Sequence, residues 1–441
     1  MRNQTIPAAV IAALCIATIA EAKYSDGSGE PNDPYRIATA EDLNDIGNYE
    51  EDWNKHFILV NDINLAEYTG TQFKIIGRWI DYDDPNNKPF TGVFDGNDHK
   101  IRNFTFTWTS KDICRAGLFG YLGEGGEIKN LGMENVDVNA LSGWYVGSLA
   151  ARCDAGAITN CYSTGSVTGM WDVGGLVGLN DGAITNSYSI ANVSGTGDYV
   201  GGLVGHSFSR GPITDCYSTG SVSGHNYMGG LAGGNDGEMT RCYSTSSVSG
   251  DNYVGGLAGN NGRTMADCYT TGTVTGEDYT GGLVGSNERS GRITRCYSTG
   301  GVTGNYSVGG LVGYGGGPVT ASFWDTQTSG QSTSVGGTPK TTAEMKIKST
   351  FTSAGWDFVN VWDICERTNY PKFVWQIPPI ADFVCPDGVD FVDFAILASA
   401  WQTELNDAGW NAACDISQPK DNIINELDLA IFASHWLEGP P

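Results

Sequence analysis

Along most of the chain the apolar positions fall in short runs, each closed by Gly and polar residues. That pattern predicts β-strands joined by tight turns. In one stretch, Tyr199 to Val204, Ile213 to Ser218 and Ser221 to Ser223 read as three successive strands. None of these runs is long enough for a helix, and their Gly residues would weaken one. A few segments depart from the pattern. Ile6 to Ala20 is predominantly apolar, while Val389 to Trp401 and Ile424 to Trp436 each carry acidic residues that run into an apolar, Ala-rich stretch. Thr39 followed by Asp42 marks a helix start.

The runs repeat. Gly-Gly-Leu-Val-Gly or a near copy places its Leu at 118, 149, 176, 203, 231, 257, 283 and 311, in steps of 26 to 31 residues. A second anchor, Cys-Tyr-Ser-Thr or a variant, recurs at Cys161-Tyr162, Ser187-Tyr188, Cys216-Tyr217, Cys242-Tyr243, Cys268-Tyr269 and Cys296-Tyr297. A third, Val-Thr-Gly or Val-Ser-Gly, keeps phase with both at Val167, Val193, Val222, Val248, Val274 and Val302. A unit of this length cannot bury a core alone, whereas stacking one unit per coil pairs each strand with its copy and closes a continuous core. The fold class expected is therefore all-β, a right-handed β-solenoid of about eight coils; propeller blades need longer repeats. With strands about 4.8 Å apart, the rod would run roughly 40 Å.

Like positions in such a stack form columns. Cys and Tyr are adjacent and so face opposite sides of their strand. The parity shared by Cys216, Ser218, Gly220 and Val222 favours Cys inside, as a small apolar filler, and Tyr162, Tyr188, Tyr217, Tyr243, Tyr269 and Tyr297 on the outer face. The competing arrangement puts Tyr inside, with a corner before Val222. A second aromatic column comprises Tyr145, Tyr199, Tyr227, Tyr253 and Tyr279, with Trp171 and Tyr306 displaced by one. Asn180, Asn235, Asn261 and Asn287 form an amide column suited to satisfying backbone groups at a corner. In-register thiols are expected to stay reduced, because their Cβ vectors run parallel.

Composition agrees with this picture. Gly is 62 of 441 residues without a period of three, which excludes collagen, and the aromatic content of 11% argues against disorder. The net charge of −25 argues against nucleic acid as a partner. Residues 1–22 read as a signal peptide, with Arg2, an apolar run and Ala20-Glu21-Ala22 before a mature start at Lys23. Secretion to the exterior or cell surface is the expected localisation, with no membrane span in the mature chain.

The Gly-Gly-Leu-Val-Gly core, with Cys-Tyr-Ser-Thr-Gly and Val-Thr-Gly, resembles the GLUG repeat of bacterial surface and secreted proteins. Asp33-Pro34-Tyr35-Arg36-Ile37, Phe94-Asp95-Gly96-Asn97 and Phe323-Trp324-Asp325-Thr326 resemble the flanks of such proteins. This divides the chain into an N-terminal cap with first coils (23–112), GLUG-type coils (113–325), a C-terminal cap (326–379) and a module at 380–441. The two copies in that module, offset by 35 residues, resemble a type I dockerin, a small α-helical domain of paired EF-hand-type loops. The resemblance implies Ca²⁺ binding. The second loop matches better, with Asp415, Ser417, Asp421, Asn425 and Asp428 as ligands and the Ile423 carbonyl as a further one. The first loop retains Asp387, Asp390 and Asp393 but places Val384 and Pro386 where oxygens belong, so one bound ion is expected. Cys385 and Cys414 are placed to staple the module. A cohesin-like protein or an envelope component is the partner implied for this tail.

Catalytic motifs are scarce. None of the five His begins His-Glu, so the zinc motif of the immunoglobulin A1 metallopeptidases that carry GLUG repeats is missing. His206 and His225 read as solvated turn residues. There is no Gly-x-Ser-x-Gly elbow and no P-loop. The expected function is a non-catalytic extracellular scaffold or adhesin. The alternatives are a carbohydrate-binding module that uses the Tyr columns to bind polysaccharide, or a β-helix enzyme that degrades polysaccharide.

Overall fold

Each repeat makes one coil, and like residues pair between coils. In the computed structural model, which describes residues 23–376, 391–411, 414–416 and 422–434, Tyr162, Tyr188, Tyr217, Tyr243, Tyr269, Tyr297 and Phe323 are successive partners in parallel register. Val167, Val193, Val222, Val248, Val274 and Val302 form a second such line. At the Gly-Gly-Leu corner, Leu231 N–H donates to the Leu257 carbonyl (2.9 Å), Leu257 to Leu283 (2.8 Å) and Leu283 to Leu311 (2.8 Å). This is a β-solenoid of about eight turns, and blades around a central axis are ruled out. The signal segment 1–22, most of the first dockerin-like loop, and Ser417 and Asp421 of the second lie outside the described residues.

From Tyr199 to Ser223 the strands are shorter than the hydrophobic pattern predicts, whereas Glu127–Ala140 and Ala150–Gly169 are longer. Tyr199 to Val204 divides into Asp198–Gly201 and Val204–Ser207, which belong to two different sheets. The break falls at the Gly pair because the coils approach closely there. A Cβ on Gly202 would lie 2.1 Å from the Gly230 carbonyl oxygen, and one on Gly230 would lie 2.1 Å from that of Gly256. Ile213 to Ser218 is also cut, at Asp215, whose φ of 54° turns the chain through the left-handed region. Asn186, Arg241, Asp267 and Arg295 hold the same conformation at the equivalent position. Four of these residues form two pairs across coils: Arg241 Nε reaches Asp215 at 2.6 Å and Arg295 Nη2 reaches Asp267 at 2.6 Å. Alternating signs along this column avoid the repulsion that identical stacked charges would produce.

The interior resolves the Cys–Tyr alternative. Cys161, Cys216, Cys242, Cys268 and Cys296 are buried among the Leu, Val and Ile columns. Each Sγ lies 3.1–3.3 Å from the carbonyl oxygen two residues earlier. All five are free thiols. Burial pushes the Cys161 thiol up to about 12, so thiolate is scarce at neutral pH. Because all five are fully buried, the native protein should leave these thiols unreactive toward a thiol-specific dye, and denaturation should release all of them. A shortfall of two among the repeats would reveal a disulfide.

The amide column is a hydrogen-bonded ladder. Asn235 Nδ2 donates to Asn261 Oδ1 and Asn261 Nδ2 to Asn287 Oδ1, both at 2.8 Å, and all three side chains are buried. Its role is to satisfy polar groups inside the stack.

Caps close both ends. At the N-terminal end, helix Ala40–Asn48 begins with the capping box anticipated at Thr39 and Asp42 and buries Leu43 and Ile46. At the other end, Thr326–Ser329, Thr342–Met345 and Lys348–Thr352 are short helices. They are followed by the antiparallel pair Trp362–Asp363 and Lys372–Phe373. This cap packs Phe351, Trp356, Trp362 and Phe373 on Tyr243, Tyr269 and Tyr297. In the terminal module, Phe391–Ser399 and Glu426–Ser434 are helical and share a small core of Leu397, Ala400, Cys414, Ile416, Ile424 and Phe432. The Cys385–Cys414 staple is not made: Cys414 is a free thiol packed in that core, whereas Cys365 is disulfide-bonded. No helix among the described residues is long and apolar enough to cross a membrane.

Candidate functional site

The outer Tyr column runs the length of the coils, with ring centroids 4.6 to 5.0 Å apart and planes within 7° of parallel. Each inner ring is thus sandwiched by its neighbours. The outward face of Tyr162 is also taken, because its ring lies on Gly132, where a Cβ would come within 2.6 Å of it. The Tyr162 hydroxyl donates to Glu134 (2.8 Å), and Lys100 and Arg102 bind the same carboxylate. Those hydrogen bonds, from Lys100 first, bring Glu134 down to about 2. Tyr243, Tyr269 and Tyr297 are buried under the C-terminal cap, and Tyr269 and Tyr297 spend their hydroxyls on Gln376 and the Pro371 carbonyl. A groove of about 460 Å³ lies along the boundary, lined by Tyr217, Thr219, Thr245, Thr271, Asn369 and Lys372 among others. The column therefore offers ring edges, and half of the six tyrosines expected to meet a ligand are covered by the cap. Stacking a sugar requires a free ring face, and this geometry withholds it.

His206 departs from its expected solvated turn. Its side chain is 12% exposed. It stacks on Tyr199 (4.4 Å, 8° from parallel) and packs against Phe208. Nε2 lies 3.0 Å from Asp236 and Nδ1 3.5 Å from Asp172. The ring fits because its partners in register are Leu179 and Gly234, and Gly234 leaves it space. Aligning the repeats would have exposed this signal; reading His206 within its own turn hid it. His225 is exposed, as anticipated, and pairs with Asp251 at 2.7 Å.

Burial alone would lower the His206 pKa, but Asp172 and Asp236 outweigh it and raise it to about 9. A raised folded-state value stabilises fully below the unfolded pKa of about 6.5, and the contribution disappears as pH rises through about 9. Urea unfolding should show His206→Asn less stable than the parent at pH 6, with the difference narrowing by pH 9.5. A difference independent of pH would assign His206 a packing role alone.

In the terminal module, the acidic residues expected to hold Ca²⁺ are partly brought together. Asp415 and Asp428 are buried. Asp428 accepts from the Ile416 and Asn425 backbone amides at 2.7 and 2.9 Å, and Asp415 accepts from Asn422 at 3.1 Å. Asn425 Oδ1 accepts from Leu427 (2.8 Å), and Ile423 bridges to Glu404. No group of three metal-ligating His, Cys, Asp or Glu side chains occurs among the described residues.

The model of the GLUG motif matches residues 142–168, 171–194, 196–223 and 276–303. Halomucin of Haloquadratum walsbyi is 30% identical over 43% of this chain, and a protein of Evansella cellulosilytica named "Putative Gly-rich membrane protein" is 36% identical over 31%. The matched segments make up only 2% and 14% of those proteins' lengths. Among solved structures, one described as "a putative immunoglobulin A1 protease from Bacteroides ovatus" aligns over 80% of this chain and 96% of its own, at 21% identity and a TM-score of 0.46. Another, "IgA1 Protease", aligns over 75% of this chain and 24% of its own, at 13% identity and a TM-score of 0.40. These names correct the expectation of a chain outside the enzyme class, because proteins described as proteases are among the neighbours of its coil stack. Likeness at this level brings no activity or residue role to this chain. What sequence pattern, coil register and motif match agree on is a β-solenoid repeat protein with GLUG motif repeats.

Proposed function

We propose that the chain is an exported repeat scaffold, with a coil stack that displays an extracellular surface and a tail that attaches it. The observation that carries this reading is the like-on-like register of the coils, interrupted only by bulges near Asp154 and Ser163 and at the Cys114–Ala116 strand, which makes a rod whose polar ladders and aromatic columns are spent on holding neighbouring coils together. The export signal, the acidic surface and the GLUG repeats point to the same setting. The tail is proposed to bind one Ca²⁺ through its second loop, with Asp415, Ser417, Asp421, Asn425, Asp428 and the Ile423 carbonyl as ligands, and to dock onto a cohesin-like or envelope partner. Buried Asp415 and Asp428 flanking one loop, with Asn425 at the start of the second helix, suit oxygen coordination.

Calorimetric titration of the full chain with Ca²⁺ tests the metal reading. About one site is expected, with Asp428→Ala abolishing it and Asp393→Ala leaving most of the affinity. Two equal sites, or binding that survives Asp428→Ala, would show the ligand assignment to be wrong.

A further inference from the structure

Away from the Tyr column, a cleft of about 440 Å³ opens where the N-terminal cap meets the first coils. This volume lies in the range of small-ligand sites. Trp53, Trp79 and Trp108 line it, with Ile80 and Ile113 exposed at its edge. The indole N–H groups of Trp53 and Trp108 are already used, donating to the Ile46 and Asp112 carbonyls at 2.7 and 2.9 Å. Trp53 is only 3% exposed, so the ring surface left for a ligand is that of Trp108, which is partly exposed. Trp79 is braced from behind, edge-to-face with Tyr121 and under the Arg152 guanidinium at 3.8 Å.

The charges in this cleft run against the rest of the molecule. In a chain of net charge −25, it is lined by Lys74, Arg78 and Arg115 against the single carboxylate of Glu50, which Arg78 already engages. Arg115 is the telling residue. It makes no hydrogen bond or ion pair among the described residues, and its Nε is buried without an acceptor. Its nearest charged and polar company is the Tyr145 ring, 5.8 Å from the guanidinium carbon, with the Asp81 carboxylate acting on it only through space and Arg152 opposing it. A half-buried guanidinium without an anion is costly unless something supplies one. The planar fork of Arg suits a carboxylate, which it can bind through two parallel N–H donors.

We propose that this cleft binds a uronate-bearing saccharide, its carboxylate on Arg115 and a pyranose face against Trp108. The site is independent of the Tyr column and of the Ca²⁺ loop, so it stands or falls apart from the tail's attachment. Neutral sugars would leave Arg115 unanswered, and a simple anion would leave the Trp108 ring unused. Only a ligand carrying both features uses the whole cleft.

Calorimetry of the full chain with tetragalacturonate and with cellotetraose tests this. The uronate is expected to bind and the neutral tetramer to bind at least tenfold more weakly, with added salt weakening the uronate. Losing a charge-assisted fork should lower uronate affinity roughly 10- to 100-fold in Arg115→Gln. Because Arg115 supports no internal contact of that kind, the variant should melt as the parent does. Trp108→Ala should also weaken binding, and it provides a second reading if Arg115→Gln fails to fold. Equal binding of the two tetramers, no binding of the uronate, or uronate affinity unchanged in both variants would overturn the proposal.

Discussion

Replacing Leu257 with Asp is expected to abolish folding of the coil stack. Leu257 is fully buried, between Leu231 and Leu283 of the adjoining coils, and its backbone donates to the Leu283 carbonyl. A carboxylate at that point would be desolvated, with no cation in the column to pair with it, and its neighbours above and below are apolar. The repeats are coupled mainly to their nearest neighbours, so disrupting a middle coil separates the two halves of the rod. Leu257→Ala, which leaves only a cavity, should cost about 2–5 kcal/mol and still fold. Circular dichroism and urea unfolding of both variants check this pair. A stably folded Leu257→Asp protein would mean that the column position is not inside.

Trp362→Ala should have the second largest effect. Trp362 is fully buried in the C-terminal cap, packed against Trp356 (4.6 Å between ring centroids) and Phe373 (4.4 Å), and close to Tyr269 and Tyr297. Its indole N–H donates to Asp267, the carboxylate that also binds Arg295. Truncation removes the centre of the cluster that holds the cap on the coils. A loss of about 3–5 kcal/mol is expected for a buried Trp. Loosening the cap also uncovers strand edges and stacked tyrosines, and open edges pair with other chains. Size-exclusion chromatography should therefore show higher oligomers for Trp362→Ala alongside its lowered melting temperature. A monomeric variant with parental stability would show that the cap is not needed to close the rod.

Much of the coil was legible along the chain, because a repeat states its own geometry. Three anchors in phase require one coil per unit, and the adjacency of Cys216 and Tyr217 requires opposite faces. The helix start at Thr39 was equally local, since a capping box is closed within four residues. The division of Tyr199 to Val204 between two sheets was not legible: alternation describes a strand but does not mark where a neighbouring coil comes too close for a side chain. His206 was missed for a related reason, as its carboxylates arrive from Asp172 and Asp236 in other coils.

The phase of the repeat, the Leu and Val columns and the opposite facing of Cys and Tyr were determined by the sequence itself, since periodic patterning and strand parity act between residues near in the chain; which of the two faced inward was decided by the folded structure. The tertiary structure alone decided that the cap covers Tyr243, Tyr269 and Tyr297, that stacked rings spend their faces on one another, and that Arg115 and three tryptophans meet in one cleft. Those outcomes depend on which surfaces approach across dozens of residues, and the packing of a folded chain is what brings them together.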